Sequence, residues 1–474
     1  MTQPNSSDSA PLGAPHSAEY PIRPVLAVVG AGSLVWGRSI VVDLMTNPDL
    51  AGAEIRLIDV LPERLEMVRE WVEFARIALG GSHRITAHTD IRDGLRGATG
   101  CLTAISVGGD RLWRYDAMYP QLDGIFQPVG DTTGPGGAMR ALRHAPALLH
   151  IARTLAEVGA PDAVLLQVTN PLNPLTACLD TLPGIRVVGF CHGYEDTEHI
   201  IAETLGLVPK GMSKAVWKNH CVPVNVEVAG NNHFVFVDKL TIGDRHYDQS
   251  TLHELTPAIF DCPFREAIWS RFGVLVGNNP RHPIEFLPDF LTKKWGYGRA
   301  WGVSLVANEI DPEKGERHDE RQPRMEADLR AARADPSVVR SWPLEHSHEP
   351  IAEILAALHT GKRFDAHLNV RNEGAIRGVE DDAHVELFCR IENGVVHRPQ
   401  AVFPDGITAE ISRIARSHLL LARCCMAFDE ELLMEALSLD ALIPSDKGLA
   451  RRLMREMIEF QKDYIFPAGV AGES

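Results

Sequence analysis

A thiol and an imidazole brought together by a fold can hold a borderline-soft divalent ion. This sequence offers such a pair in two short blocks, Gly189-Phe190-Cys191-His192-Gly193-Tyr194-Glu195 and Gly230-Asn231-Asn232-His233-Phe234. Cys191 and His233 are therefore candidate ligands for zinc, iron, cobalt, nickel or manganese. Each also has a plainer reading, Cys191 as a small core hydrophobe and His233 as a satisfied buried histidine. Upstream residues favour chemistry.

The elements that must position this pair begin with Val25-Leu26-Ala27-Val28-Val29, an apolar run of the kind buried on both faces of a parallel sheet. Gly30-Ala31-Gly32-Ser33 follows, and Ile40 to Met45 reads as the helix it opens. Strand, glycine turn and helix N-terminus together present backbone N–H groups to a pyrophosphate. Val35 stands where a third glycine is usual, so the dinucleotide fingerprint is incomplete. A second strand, Glu54 to Ile58, ends at Asp59, whose carboxylate can accept both ribose hydroxyls of an adenosine and would repel a 2′-phosphate. That favours NAD over NADP, against the alternative of a solvated strand-end acid.

Pro62 to Leu79 has apolar residues at helical spacing. Leu102 to Val107, ending in Gly108-Gly109, and Ala163 to Val168, ending in Thr169-Asn170-Pro171, read as further buried strands. Asn170 would thus face the crevice where ligands of such sheets bind. Between them lies Gly130-Asp131-Thr132-Thr133-Gly134-Pro135-Gly136-Gly137, leading into a helix over Ala138 to Leu149. So many glycines can be a plain turn, or can let backbone approach a substrate with Asp131 aimed into the site.

Composition narrows the partner. The chain has 474 residues, 45% apolar and 23% charged, with a formal charge of −16 and no cluster of Lys and Arg. A basic footprint for nucleic acid or an anionic membrane is missing, so a small molecule is expected. Neither a secretory signal nor a long apolar run is evident, and eight scattered Cys fit free thiols in a reducing compartment. A cytoplasmic protein is expected. Residues 1–20 read as a disordered tail, 21–205 as a nucleotide-binding domain and 206–474 as a catalytic, substrate and oligomerisation domain.

The order of blocks resembles glycoside hydrolase family 4. Gly30-Ala31-Gly32-Ser33 comes first, then Gly108-Gly109 with Arg114 and Asp116. Next are Gly130-Asp131-Thr132 with Gly134-Pro135-Gly136-Gly137 and Arg140-Ala141-Leu142-Arg143, then Thr169-Asn170-Pro171, Cys191-His192-Gly193 and Gly230-Asn231-Asn232-His233. In the second half, His282-Pro283-Ile284-Glu285-Phe286-Leu287-Pro288 resembles the family's His-x-x-Glu-aromatic-x-Pro block, and Asn372-Glu373-Gly374-Ala375-Ile376 its Asn-x-Gly-x-Ile segment. The resemblance spans residues 22 to 465.

It implies an α/β fold: an N-terminal Rossmann-like parallel sheet of lactate and malate dehydrogenase type, with a C-terminal mixed α+β domain. It also implies tightly held NAD and a divalent metal, usually manganese, in a hydrolase outside the two-carboxylate scheme. In that chemistry hydride leaves C3 of the sugar, a base takes the acidified C2 proton, the C1 group is expelled, water adds and the hydride returns. Carried onto this chain, Cys191 and His233 are the metal ligands and Asp131 the acid beside the leaving group. Gly30, Gly32, Ser33, Asp59 and Asn170 are cofactor residues. His192 should touch the sugar, and Asn170 should hold the sugar or the nicotinamide ribose. The family places the C2 base, a Tyr or an Asp, before the His282 block, but this chain reads Gly277-Asn278-Asn279-Pro280 there. Asp261 and Tyr247 lie in the interval without matching a motif, so the base is unassigned.

Cys191-His192-Gly193 looks most like members acting on α-linked galacturonides or glucuronides. A uronate carboxylate wants a cation, and Arg281, Lys293, Lys294 and Arg299 crowd the stretch around His282, unless they are a solvated helix end. Arg281, His282 and Arg299 are the expected substrate contacts. An α-glucosidase or α-galactosidase, a lactate/malate-type 2-hydroxyacid dehydrogenase and a non-catalytic NAD sensor are the alternatives. A homo-oligomer, dimer or tetramer, is expected. In the second half, Val224 to Val228 and Phe234 to Thr241 read as strands, and His384 to Ile391 with Asn393-Gly394 and Val395 to His397 as a hairpin. Ile407 to Leu437 reads as one long helix, and Asp311 to Asp335 as an exposed helix or mobile loop.

Overall fold

Side chains on both faces of a parallel strand meet helices, which is why the first strands of this chain are apolar throughout. The structure, a computed structural model, describes residues 23–33, 37–213, 217–305, 321–342, 344–347 and 349–467. Six parallel strands, β1 (Val25–Val29), β2 (Glu54–Ile58), β3 (Arg84–His88), β4 (Gly100–Thr103), β5 (Ala163–Gln167) and β6 (Ile185–Gly189), lie in the order β3-β2-β1-β4-β5-β6. This is the dinucleotide-binding order, and its ligand crevice opens at the carboxyl ends of β1 and β4. Thr169-Asn170 and Phe190-Cys191, which follow β5 and β6, share that edge.

The sheet continues without a break into the second half through β7 (Val224–Asn231), β8 (Phe234–Ile242), β9 (Arg245–Asp248), β10 (Phe364–Arg371), β11 (His384–Glu392) and β12 (Val395–His397). β10 joins β6 antiparallel, with Asn369 opposite Gly189. A Cβ on Gly189 would lie 2.8 Å from both the Asn369 Cβ and the Thr176 hydroxyl, so glycine two residues before Cys191 lets the two halves close. β7 and β8 form a hairpin whose two-residue turn is Asn232-His233, with Asn231 opposite Phe234.

Several boundaries differ from the sequence expectations. The strand expected from Leu102 runs Gly100–Thr103, because the chain turns at Ser106 to Gly108 to start the helix Gly109–Met118. The helix expected from Ala138 is Gly134–Val158, so three of the four glycines of the Gly130–Gly137 stretch lie inside it. They are there for close approach: a Cβ on Gly137 would meet the Thr132 carbonyl carbon at 2.4 Å. The single helix expected over Ile407 to Leu437 is two, Asp405–Met426 and Glu430–Ser438, with Asp429 capping the second through Leu432 N–H. Of Asp311 to Asp335, residues 321–335 are described, and Arg321–Ala334 is a helix; Val35 and the expected N-terminal tail lie outside the described residues.

The last helix, Lys447–Ile465, returns to the helix Gly134–Val158. Its Gln461 donates to Asp116 Oδ1 at 2.7 Å, and Asp116 pairs with Arg143 at 2.8 Å with both side chains fully buried. A buried pair of this sort is costly to break from one side, because the remaining charge is left unpaired. No helix among the described residues is long and apolar enough to cross a membrane.

Candidate active site

The glycine turn after β1 is held by the acid that the sequence assigned to the ribose. Asp59 Oδ2 accepts from Gly32 N–H at 2.8 Å and Oδ1 from Leu61 N–H at 3.0 Å. Gly30 has φ 89°, and a Cβ there would lie 2.1 Å from the Ala104 carbonyl oxygen. Ser33 N–H donates to Gly30 C=O, carrying the turn toward the helix Gly37–Thr46. Gly30, Gly32, Ser33 and Asp59 thus form one cradle, narrow enough that side chains on its glycines would fill it.

At the ends of β4 and β5 a buried amide sets the crevice. Gln167 Oε1 accepts from the Thr103 hydroxyl and Thr169 N–H, while its Nε2 donates to Thr169 C=O. Asn170 follows, and its Nδ2 donates to Asp131 Oδ2 at 3.1 Å. The Asn170 carbonyl accepts from Arg140 Nε at 3.2 Å and lies 3.0 Å from His144 Nδ1. Burial, then the charges of Arg140 and Arg143, hold His144 well below the usual histidine range.

Asp131 lies on the loop that precedes the helix Gly134–Val158. Gln127, buried, donates to Thr133 C=O and accepts from Gly136 N–H, while Asp440 Oδ2 accepts from the Thr133 hydroxyl and Gly134 N–H, both at 2.6 Å. Against this loop stands His233, whose φ of 68° is uncommon outside glycine. The Thr132 hydroxyl donates to Asp131 Oδ1 at 2.7 Å and lies 2.7 Å from His233 Nδ1. A hydroxyl has one proton, so it must accept from His233, which leaves Nε2 with the free lone pair.

The structure adds a third group. His282 stacks on His233 with ring centroids 4.0 Å apart, and Asp131, His233 and His282 each offer a ligand atom within 4.8 Å of the others. His282 Nδ1 is buried without a hydrogen-bond partner. Burial first, then neighbouring His233 and Arg281, hold His282 well below its usual pKa, and burial also lowers His233. Two neutral imidazoles and a carboxylate are a donor set suited to a divalent ion. Expected among the substrate contacts, His282 stands in the metal-capable cluster.

Cys191 does not belong to that trio. Its thiol lies beside Asn232 and Glu386, and burial first, then the Glu386 charge, push it up to about 12, so it is protonated without a metal. Asn232 Nδ2 also donates to Glu386 Oε2 at 2.9 Å, which ties the turn carrying His233 to the Cys191 side of the crevice. His192 Nδ1 lies 3.2 Å from Glu349 Oε1, a carboxylate pushed up to about 8 by burial and then by Glu195 and Asp43. Glu349 is a site residue that sequence reading missed. Its segment is anchored by Ser347 N–H donating to Asp43 Oδ2 at 2.9 Å, and no motif marks it.

The Asn278-Asn279 pair packs against the loop that follows Cys191: a Cβ on Gly193 would be 2.5 Å from Asn278 Nδ2, and Asn279 Nδ2 donates to Asp196. Asp261 is paired with Arg265 at 2.7 Å, and Tyr247 is buried on β9 opposite Leu240. Of the expected cations, Arg281 is exposed and close enough for its charge to act on His233 and His282. Lys293, Lys294 and Arg299 are exposed as well, with Lys294 lying over Trp295.

Residues 25–207 match the family 4 glycosyl hydrolase model, and residues 228–443 match the model of the family 4 glycosyl hydrolase C-terminal domain. An alpha-galacturonidase of Bacillus subtilis (strain 168) is 26% identical over 454 residues, covering 92% of this chain and 96% of its own length. An alpha-galactosidase of Rhizobium meliloti (strain 1021) is 27% identical over 379 residues, covering 76% and 72%. The 6-phospho-beta glucosidase of Thermotoga maritima, solved with manganese, NAD+ and glucose-6-phosphate, superposes with a TM-score of 0.70 at 20% identity over 93% of this chain and 98% of that one. Two family models that between them take in most of the sequence, over the fold and cluster described above, establish that the chain belongs to glycoside hydrolase family 4.

Proposed function

We propose that the protein hydrolyses α-glycosides of unphosphorylated uronic acids, a galacturonide or a glucuronide, using NAD and a divalent ion, manganese first. The observation that carries this is the meeting of Asp131, His233 and His282 at the same sheet edge as Asn170 and the Gly30–Gly32 cradle. An NAD laid on Gly32 and Asp59 would end near Asn170. When bound, NAD supplies a hydride acceptor and the ion supplies stabilisation of an enediolate.

The chain's own residues do the rest. His233, presenting Nε2, and Cys191, once its proton is displaced, would hold the ion, with His282 Nδ1 free to join them. Asp131, held by the Asn170 and Thr132 donors, stands at the leaving group with its carboxylate in the His233–His282 cluster. His192, with Glu349 behind it, meets the sugar. Arg281 faces an anionic substituent, and the uronide reading is supported by the alpha-galacturonidases of Bacillus subtilis and Thermoanaerobacterium saccharolyticum, matched over 92% and 93% of this chain.

A panel of nitrophenyl glycosides assayed with NAD, manganese and a thiol tests the reading. Turnover of α-galacturonide or α-glucuronide that stops on chelation supports it. Turnover confined to α-galactoside or α-glucoside moves the substrate to a neutral sugar, and release of free NADH from a 2-hydroxyacid replaces the hydrolase reading with a dehydrogenase.

A further inference from the structure

Glu285 is a carboxylate that the site chemistry leaves unused. It is 1% exposed, in a short helical turn, Pro283–Phe286, whose N-cap is His282. One of its oxygens, Oε1, accepts from two successive backbone N–H groups, Val129 at 2.6 Å and Gly130 at 2.8 Å. Those amides immediately precede Asp131. Burying a carboxylate is costly unless it is hydrogen-bonded, so these two bonds fix where the group can sit.

The loop has no freedom on its other side. Gly130 has φ 68°, and a Cβ there would lie 2.9 Å from the Ala117 Cβ, so the backbone is wedged between the helix Gly109–Met118 and Glu285. Trp113 Nε1 also donates to Val129 C=O at 2.7 Å. At the other end, Glu285 N–H donates to His282 C=O at 3.2 Å, and His282 stacks on His233. One side chain therefore joins the Asp131 loop, from the nucleotide-binding half, to the imidazole pair of the second half.

We infer that Glu285 is a positioning residue: by accepting the Val129 and Gly130 N–H groups it sets the separation between Asp131 and the His233–His282 pair. The inference rests on the glycosidase reading for its kinetic arm only. What matters is the reach of an acceptor oxygen, and two substitutions separate reach from the ability to ionise. E285Q keeps a carbonyl oxygen at the same distance and cannot ionise. E285D keeps the carboxyl group and withdraws its oxygens by one methylene.

The experiment uses the full chain loaded with NAD, with α-galacturonide kinetics and manganese titration followed by electron paramagnetic resonance. E285Q should keep kcat and manganese affinity within about 3-fold of the parent. E285D should lose on the order of 100-fold in kcat with KM little changed, as expected for a displacement near 1 Å. Its manganese affinity should fall about 10-fold, because Asp131 leaves the cluster. NAD affinity should be unchanged in both, which a general loss of folding would not allow. The inference is overturned if E285D matches the parent in both measurements, or if E285Q falls as far as E285D. Should the parent hydrolyse no glycoside, the functional reading fails, and the manganese titration still decides on Glu285.

Discussion

The hydroxyl of Thr132 lies 2.7 Å from His233 Nδ1 and gives its own proton to Asp131, so it dictates which nitrogen of His233 is free for a metal. Outer contacts of this type fix ring orientation and tautomer, and their loss typically costs 10- to 100-fold in metal affinity. Thr132→Val keeps the shape and strands the Nδ1 proton in a buried place. Manganese affinity should drop by about tenfold or more, with Thr132→Ser restoring it. Calorimetric titration checks both, and equal affinities in parent and Val variant would remove Thr132 from the site.

Cys191 gives a pH prediction. Burial and Glu386 push its thiol up to about 12, so it is protonated from pH 6 to pH 9 and must lose that proton to bind a metal as thiolate. Affinity for manganese should therefore rise about tenfold per pH unit over this range, with one proton released per ion. Burial lowers His233 and His282, which moves their own contribution to the slope toward lower pH. Cys191→Ser should flatten the profile and abolish metal-dependent hydrolysis while NAD binding stays intact. An unchanged slope in the Ser variant would exclude the thiolate as a ligand.

Legibility in the sequence followed how local each feature is. The turn at Gly30, the acid at Asp59 and Asn170 after β5 could be read because strand and glycine patterns repeat the same physics along the chain. The two strands flanking His233 were legible, though not that β7 runs on to Asn231 and pairs with β8 as a hairpin, and β12 was legible from the Asn393-Gly394 turn, where both residues have positive φ. What could not be read depends on distant packing. β10 lies between β6 and β11 although almost 180 residues separate it from β6, and Glu349 reaches His192 from a segment with no periodicity. The stacking of His282 on His233 could not be read, because sequence order says nothing of such ring contacts. Glu285 was visible as part of a block, but its role is written in two backbone amides more than 150 residues earlier.

Asp59 does two jobs that substitution can separate. Its carboxylate accepts from Gly32 N–H at 2.8 Å and so shapes the turn, and in the NAD-dependent function proposed above its charge would oppose a 2′-phosphate. Asp59→Asn should keep the turn and narrow the preference for NAD over NADP by about tenfold, close to 1.4 kcal/mol. Asp59→Ala should also weaken NAD itself, because the Gly32 N–H loses its acceptor. Fluorescence titration with both nucleotides measures this, and unchanged affinities in the Ala variant would place the adenosine elsewhere.

The reaction path leaves an isotopic record that does not depend on naming the sugar. If hydride leaves C3, the C2 proton becomes acidic and is taken by a base in exchange with solvent, so product formed in deuterium oxide should carry deuterium at C2. Direct displacement at C1, by water or by a carboxylate such as Asp131, never touches that carbon. Deuterium at C2 or C3 of the substrate should also slow turnover where either bond cleavage limits the rate, an effect that slow product release hides. Solvent exchange avoids this masking, because the label is read in the product rather than in the rate. It also bears on Asn278, which stands against Gly193 where the family's base is expected and cannot accept a proton. Deuterium at C2 would show that another group in the crevice performs the transfer. A uronide hydrolysed in deuterium oxide to a sugar with only protium at C2, seen by proton NMR, would sink the redox-elimination path for this chain.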